Sequence, residues 1–269
     1  MKIKSSLIFS LAAITMLAGH HPALGQNTEL PTPYVKDGSM KTYKLAWSDE
    51  FGATELDVNK WDYRTDSKMW STQKPENVEI SGGTLKLWLK KEDAGDKHYT
   101  GGGVISKQAF RYGYYEARMK TPPGAGWHTS FWMMFHNGQS NTGPNAACQE
   151  LDVIENDSIH KNSYAVNVHK WKGIHVAFGT KTVKTPDLSA DFHIFGCEFT
   201  PITVKYFFDG VLVQTTKATY RGGGSPDFEH GDQHIWLTSI ASNFGGTKAV
   251  DNTALPAIAE FDYVRFFSA

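Results

Sequence analysis

The sequence predicts an all-β fold, an antiparallel β-sandwich or β-jelly roll. Apolar residues recur at every second position in many short runs, and clusters of glycine or proline separate those runs. No segment carries a sustained 3.6-residue apolar stripe, so helices are not expected to build the core. Short alternating strands with turn signals between them bury one face each, and stacking two sheets is the economical way to do that.

The chain opens with Lys2 and Lys4, an uncharged and largely apolar run from Leu7 to Ala18, and the small-x-small triplet Ala23-Leu24-Gly25. This is the pattern of an export signal over residues 1–25, and it predicts a secreted or periplasmic protein starting near Gln26. The apolar run is shorter than the ~20 residues that cross a bilayer, so no membrane association is expected after cleavage. Residues 26–40 form an irregular lead-in without periodicity, and residues 41–269 are expected to be one domain.

Within that domain Leu85, Leu87 and Leu89 alternate with Lys86, Trp88 and Lys90, and Tyr115, Ala117 and Met119 alternate with charged neighbours. Val204, Tyr206 and Phe208 lead into Asp209-Gly210, a strong hairpin signal. Phe261, Tyr263 and Arg265 alternate with Asp262, Val264 and Phe266 at the carboxyl end. Gly82-Gly83, Gly101 to Gly103, Gly222 to Gly224 and Gly245-Gly246 are read as punctuation between strands.

Composition narrows the function. Charged residues make up 20% and aromatic residues 13% of the chain, with eight Trp. The formal charge is −1, and loss of residues 1–25 removes two lysines and no acid. That balance offers no basic stripe for nucleic acid. Cys148 and Cys197 permit one disulfide, though spacing does not show whether they meet. The spacings of the eleven His fit no zinc pattern, so no catalytic metal is expected.

The stretch that carries chemistry is Gln149-Glu150-Leu151-Asp152-Val153-Ile154-Glu155. On a regular strand Glu150 and Asp152 share a face, whereas Glu155 would point into the core. Burying an unpaired carboxylate is costly. One extra residue at Val153-Ile154, a β-bulge, would return Glu155 to the face of the other two acids. Crowded carboxyls raise one another's pKa, and a pair with separated values is what glycoside hydrolysis uses. A solvated acidic strand face or a calcium site would use the same spacing.

Glu150-x-Asp152-x-x-Glu155 resembles the bulged active-site signature of glycoside hydrolase family 16, which includes laminarinases, agarases, porphyranases and carrageenases on a jelly roll. Leu45 to Phe51, Tyr112 to Lys120, Phe192 to Thr200 with Phe208-Asp209-Gly210, and Asp262 to Arg265 resemble its core strands in the same order. The resemblance implies a retaining, endo-acting β-glycoside hydrolase that cleaves internal β-1,3 or β-1,4 linkages of an algal galactan or a β-glucan. It implies Glu150 as nucleophile, Glu155 as general acid/base and Asp152 as the assisting acid between them.

Trp127 and Trp132 are candidate sugar platforms. Many laminarinases carry Trp-Pro-Ala-x-Trp here; this chain has a His-Thr-Ser run and one more residue between the two indoles, which leans toward galactans. Asn167, His169 and Trp171 are further candidate substrate contacts, and Lys161, Lys170 and Lys172 could meet sulfate groups. Relatives often hold a structural calcium, for which Glu50 and Asp262 resemble the acidic ligands; no cofactor is expected for catalysis. The expected partner is a polysaccharide, met by a monomer. A non-catalytic carbohydrate-binding module would explain the fold and the aromatics, but not three crowded acids. A transglycosylase would use the same acids with a sugar as acceptor.

Overall fold

The computed structural model describes residues 30–135, 149–171, 175–220 and 230–269, and residues 31–269 form one compact unit. The proposed signal segment, Cys148, Lys172 and Gly222 to Gly224 lie outside the described residues.

The strands in chain order are β1 (Lys44–Asp49), β2 (Trp61–Tyr63), β3 (Ser67–Lys68), β4 (Ser71–Gln73), β5 (Val78–Ser81), β6 (Thr84–Leu89), β7 (Tyr99–Phe110), β8 (Gly113–Lys120) and β9 (Trp127–Met134). They continue as β10 (Gln149–Asp157), β11 (Ser163–Lys170), β12 (Val176–Lys184), β13 (His193–Phe199), β14 (Thr203–Phe208), β15 (Val211–Lys217), β16 (Gln233–Ala241) and β17 (Ala257–Ser268). One sheet runs β15-β14-β13-β8-β17-β6-β5, with β1 added to β17. The other runs β12-β11-β10-β9-β16-β7-β4-β3, with β2 added to β7. All pairs are antiparallel except β4 with β7. The expected all-β sandwich is present.

The core follows from the alternation. Leu85, Leu87, Tyr115, Ala117, Met119, Phe261 and Val264 from the first sheet meet Val104, Phe131, Met133, Leu151, Val166, Val168 and Leu237 from the second, all buried. Apolar area removed from water at about 25 cal/mol per Å² drives that contact. The lead-in before β1 is irregular, as expected, but it is anchored: the Tyr34 amide donates to Glu116 Oε2 at 2.7 Å, and Met40 packs with Tyr114, Phe207 and Phe267. Cys197 is a buried free thiol in the core.

Asp209 and Gly210, both at positive φ, turn β14 into β15 as the sequence predicted. Gly101 to Gly103 correct the reading given to them, because they sit inside β7 rather than in a turn. A Cβ on Gly101 would stand 2.5 Å from the Ser239 carbonyl oxygen, so these glycines let neighbouring backbone come close.

Candidate active site

β10 lies between β9 and β11, and its pairing with both slips within the acidic stretch. On the β9 side Asp152 faces Trp132 and Ile154 faces Phe131, leaving Val153 as the extra residue. Val153 and Ile154 are both buried in the core. Alternation restarts one position later, which puts Glu150, Asp152 and Glu155 on a common groove. The groove holds about 400 Å³. A larger cavity of about 930 Å³, near Phe178 and Ile202, has no carboxylate among its described lining residues.

Each acid has its own surroundings. Trp171 Nε1 donates to Glu150 Oε2 at 2.7 Å. His169 Nε2 stands 3.0 Å from Asp152 Oδ2, and its Nδ1 is 2.9 Å from His175 Nε2. The rings of Trp171 and His175 stack at 3.9 Å. Glu155 Oε1 lies 3.5 Å from His128 Nε2, and Asn167, opposite Asp152 on the neighbouring β11, helps keep Glu155 ionised.

Protonation follows from these contacts. Burial and the nearby Asp152 charge push Glu150 up to about 8. Burial and the Glu155 charge push Asp152 up as well. Burial works in the same sense on Glu155, but the hydrogen bond and charge of His128, with help from His169 and Asn167, hold it below the ordinary glutamate value. His128 is itself pushed up to about 9: burial opposes its charge, and Asp157 and Glu155 more than offset that. The glycan-free groove thus keeps protons on the Glu150–Asp152 side and an imidazolium beside Glu155.

Trp132 and Trp236 line the groove with ring centroids 4.8 Å apart, supported by a Trp132 Nε1 hydrogen bond to Thr238 Oγ1. Arg64 and Lys68 line it too; the Arg64 guanidinium is bidentate to Asp66 and sits 5.7 Å from the Trp236 ring.

Residues 43–268 match the family description "Beta-porphyranase A-D, GH16 domain". The chain belongs to glycoside hydrolase family 16. It is therefore an endo-acting β-glycoside hydrolase of a family that retains anomeric configuration and needs no catalytic cofactor. It is 27% identical to a "Beta-glucanase" of Rhodothermus marinus, over 84% of this chain and 85% of that protein. It is 30% identical to the "Kappa-carrageenase" of Pseudoalteromonas carrageenovora, over 79% of this chain and 60% of that one. Among solved structures, LamAcat from Zobellia galactanivorans superposes with a TM-score of 0.71 at 25% identity, covering 84% of this chain and 98% of that one.

The other expected site residues of this family-16 hydrolase divide. Trp132, His169 and Trp171 line the groove, and Asn167 reaches Glu155 from the strand beside it. Trp127 does not line it. It is buried with Leu89, Ala241, Val250 and Ala257, because a spacing of five residues on a regular strand puts Trp127 and Trp132 on opposite faces. Trp127→Ala should therefore cost about 3–5 kcal/mol of stability with KM unchanged. Trp132→Ala should raise KM about tenfold, for about 1.4 kcal/mol of lost binding. Thermal unfolding and KM on one glycan check the pair.

Glu50 and Asp262 are not gathered as a calcium cage. Glu50 is bidentate to Arg265 at 2.9 and 2.7 Å, and Asp262 accepts from Arg118 at 2.8 Å. Calcium takes six to eight oxygen ligands, and among the described residues no cluster of three or more His, Cys, Asp or Glu side chains includes either acid. Lys161 is turned to Asp187 at 2.7 Å and Lys170 is buried, so neither lines the groove. Among the described residues, Arg64 and Lys68 are the Arg and Lys side chains that line it instead.

Sequence reasoning missed His128, Trp236 and Arg64. His128 was legible, since it shares the parity of Ser130 and Trp132 on β9. Trp236 was not, because only the pairing of β16 with β9 sets it opposite Trp132.

Proposed function

We propose that this family-16 hydrolase cuts internal β-linkages of a porphyran-type, sulfated algal galactan by double displacement. Glu150 attacks the anomeric carbon as its carboxylate, the proton on that side of the groove being held by Asp152, and Glu155 protonates the leaving oxygen and then activates water. Asp152, on the same strand face between the two glutamates, steadies the charge that Glu150 carries into the reaction. The observation that carries the reading is the bulge that turns three acids to one groove, because two carboxyls facing one groove are what glycoside hydrolysis requires.

Three features support a galactan. The matching family description is of the porphyranase type. The indole pair Trp132 and Trp236 offers flat apolar surface to the C–H faces of a sugar. Lys68, with Arg64 paired to Asp66 beside it, brings cationic donors to the same groove, where a sulfate ester would be held by hydrogen bonds to charged donors. The charged-then-apolar amino terminus supports export to where such polysaccharides are met.

Reducing-sugar release across porphyran, agarose, κ-carrageenan, laminarin and mixed-linkage glucan tests the proposal. Release is expected from porphyran above the others. Release from laminarin alone would move the substrate to β-glucan. No release from any glycan would contradict hydrolysis.

A further inference from the structure

The structure raises a question about the acid step. A retaining hydrolase begins its reaction with a protonated acid/base, yet Glu155 rests ionised beside a charged imidazole. The geometry around that imidazole answers it. His128 stands on β9 directly opposite Asp157 of β10, and Ser130, two residues on, stands opposite Glu155. Its Nδ1 is 2.8 Å from Asp157 Oδ1, and its Nε2 is 3.5 Å from Glu155 Oε1. Both acids reach the imidazole only because the bulge resets β10: without it residues 155 and 157 would face the core.

The enclosure fixes the ring. His128 is only 7% exposed, and Phe244 meets it edge-on at a ring distance of 5.0 Å. Gly245 lies against Asp157, where an added Cβ would stand 2.7 Å from Asp157 Cβ. The groups facing His128 can be named element by element. β10 contributes Glu155 and Asp157, with Asp152 and Glu150 further along. β16 sets Ile240 opposite it, and the turn after β16 contributes Phe244. Among the described residues, Arg64, Asp66, Lys68 and His169 are the other titratable groups lining the groove.

We propose that His128, oriented by Asp157, is the positioning residue that stores the proton Glu155 delivers to the leaving oxygen. This rests on the reading of Glu155 as acid/base. In the resting form the imidazolium and the glutamate are an ion pair. The Nε2–H bond breaks, an O–H bond forms at Glu155 Oε1, and the pair becomes a neutral imidazole beside a carboxylic acid. Rotation of the carboxyl about its broad terminal torsion presents the proton to the glycosidic oxygen. In the second half-reaction Glu155 takes a proton from the attacking water, and that proton returns to Nε2. No net proton is gained or lost over a turnover.

The sign of the pH effect follows. Two bases sharing one proton keep it to higher pH than the glutamate would alone, and the imidazolium loses it near about 9. Deprotonation of the pair leaves no acid, so kcat/KM, which reports the free enzyme, should fall on the alkaline side as that proton goes. His128→Gln should move the alkaline limb down by at least one pH unit. Asp157→Asn removes the charge that favours the imidazolium and should give a smaller shift in the same direction. A purely structural role would lower kcat at every pH without moving the limb.

An imidazole titration of His128 by NMR, in wild type and in Glu155→Gln, tests the sharing without turnover. Loss of the carboxylate should lower the titration midpoint by at least one pH unit. An unmoved midpoint, or an alkaline limb unmoved in His128→Gln, overturns the proposal. Absence of wild-type turnover on every glycan would count against the hydrolase reading alone, and the titration would still decide whether the proton is shared.

Discussion

Glu150→Gln should yield a folded protein that still binds its glycan and hydrolyses it at least ~10⁴-fold more slowly, the scale on which loss of a nucleophile acts. The amide cannot form the glycosyl ester, so both half-reactions lose their intermediate. Folding should survive, because the Gln carbonyl oxygen can still accept from Trp171 Nε1, as Glu150 Oε2 does at 2.7 Å. Stability, read by thermal unfolding, should not fall by more than ~0.5 kcal/mol, since one of three crowded acids has gone. Substantial residual turnover would remove Glu150 from the nucleophile's role.

Glu155→Gln should separate the two half-reactions. On the natural polysaccharide, whose leaving alcohol needs a proton, the rate should drop by roughly 10²–10⁴-fold. On an aryl glycoside with a good leaving group the first step needs no acid and should proceed. The second step lacks its base, so the glycosyl-enzyme should accumulate after a burst of released phenol. Equal losses on both substrates, without a burst, would show that Glu155 does not serve as the acid. The contrast between substrates makes the test independent of any general loss of folding.

Much of this was legible because it rests on short-range rules. The bulge was predictable from one burial argument: Glu155 on a regular strand would be an unpaired acid in the core, so Val153 and Ile154 both had to take the core side. The Asp209-Gly210 hairpin followed from turn chemistry alone. The misplacement of Trp127 was avoidable, since parity on β9 sends it away from Trp132.

What stayed hidden depends on partners distant in sequence. Glu50 and Asp262 look like free oxygen ligands until Arg265 and Arg118 are brought to them by the pairing of β1 and β8 with β17. Trp236 enters the groove through strand order, which alternation does not encode. Gly101 to Gly103 read as a turn because glycine marks both turns and close backbone approach, and only the neighbouring strand distinguishes them.

The central claim is that the bulged strand turns Glu150 and Glu155 to one groove so that the first can be glycosylated under the care of the second. Peptide mapping by mass spectrometry of the species that accumulates in Glu155→Gln with an activated glycoside tests it most directly. The added sugar mass should lie on the peptide carrying Glu150 and disappear when Glu150 is also replaced. A label on another residue, or no covalent species together with a product of inverted configuration, would contradict it.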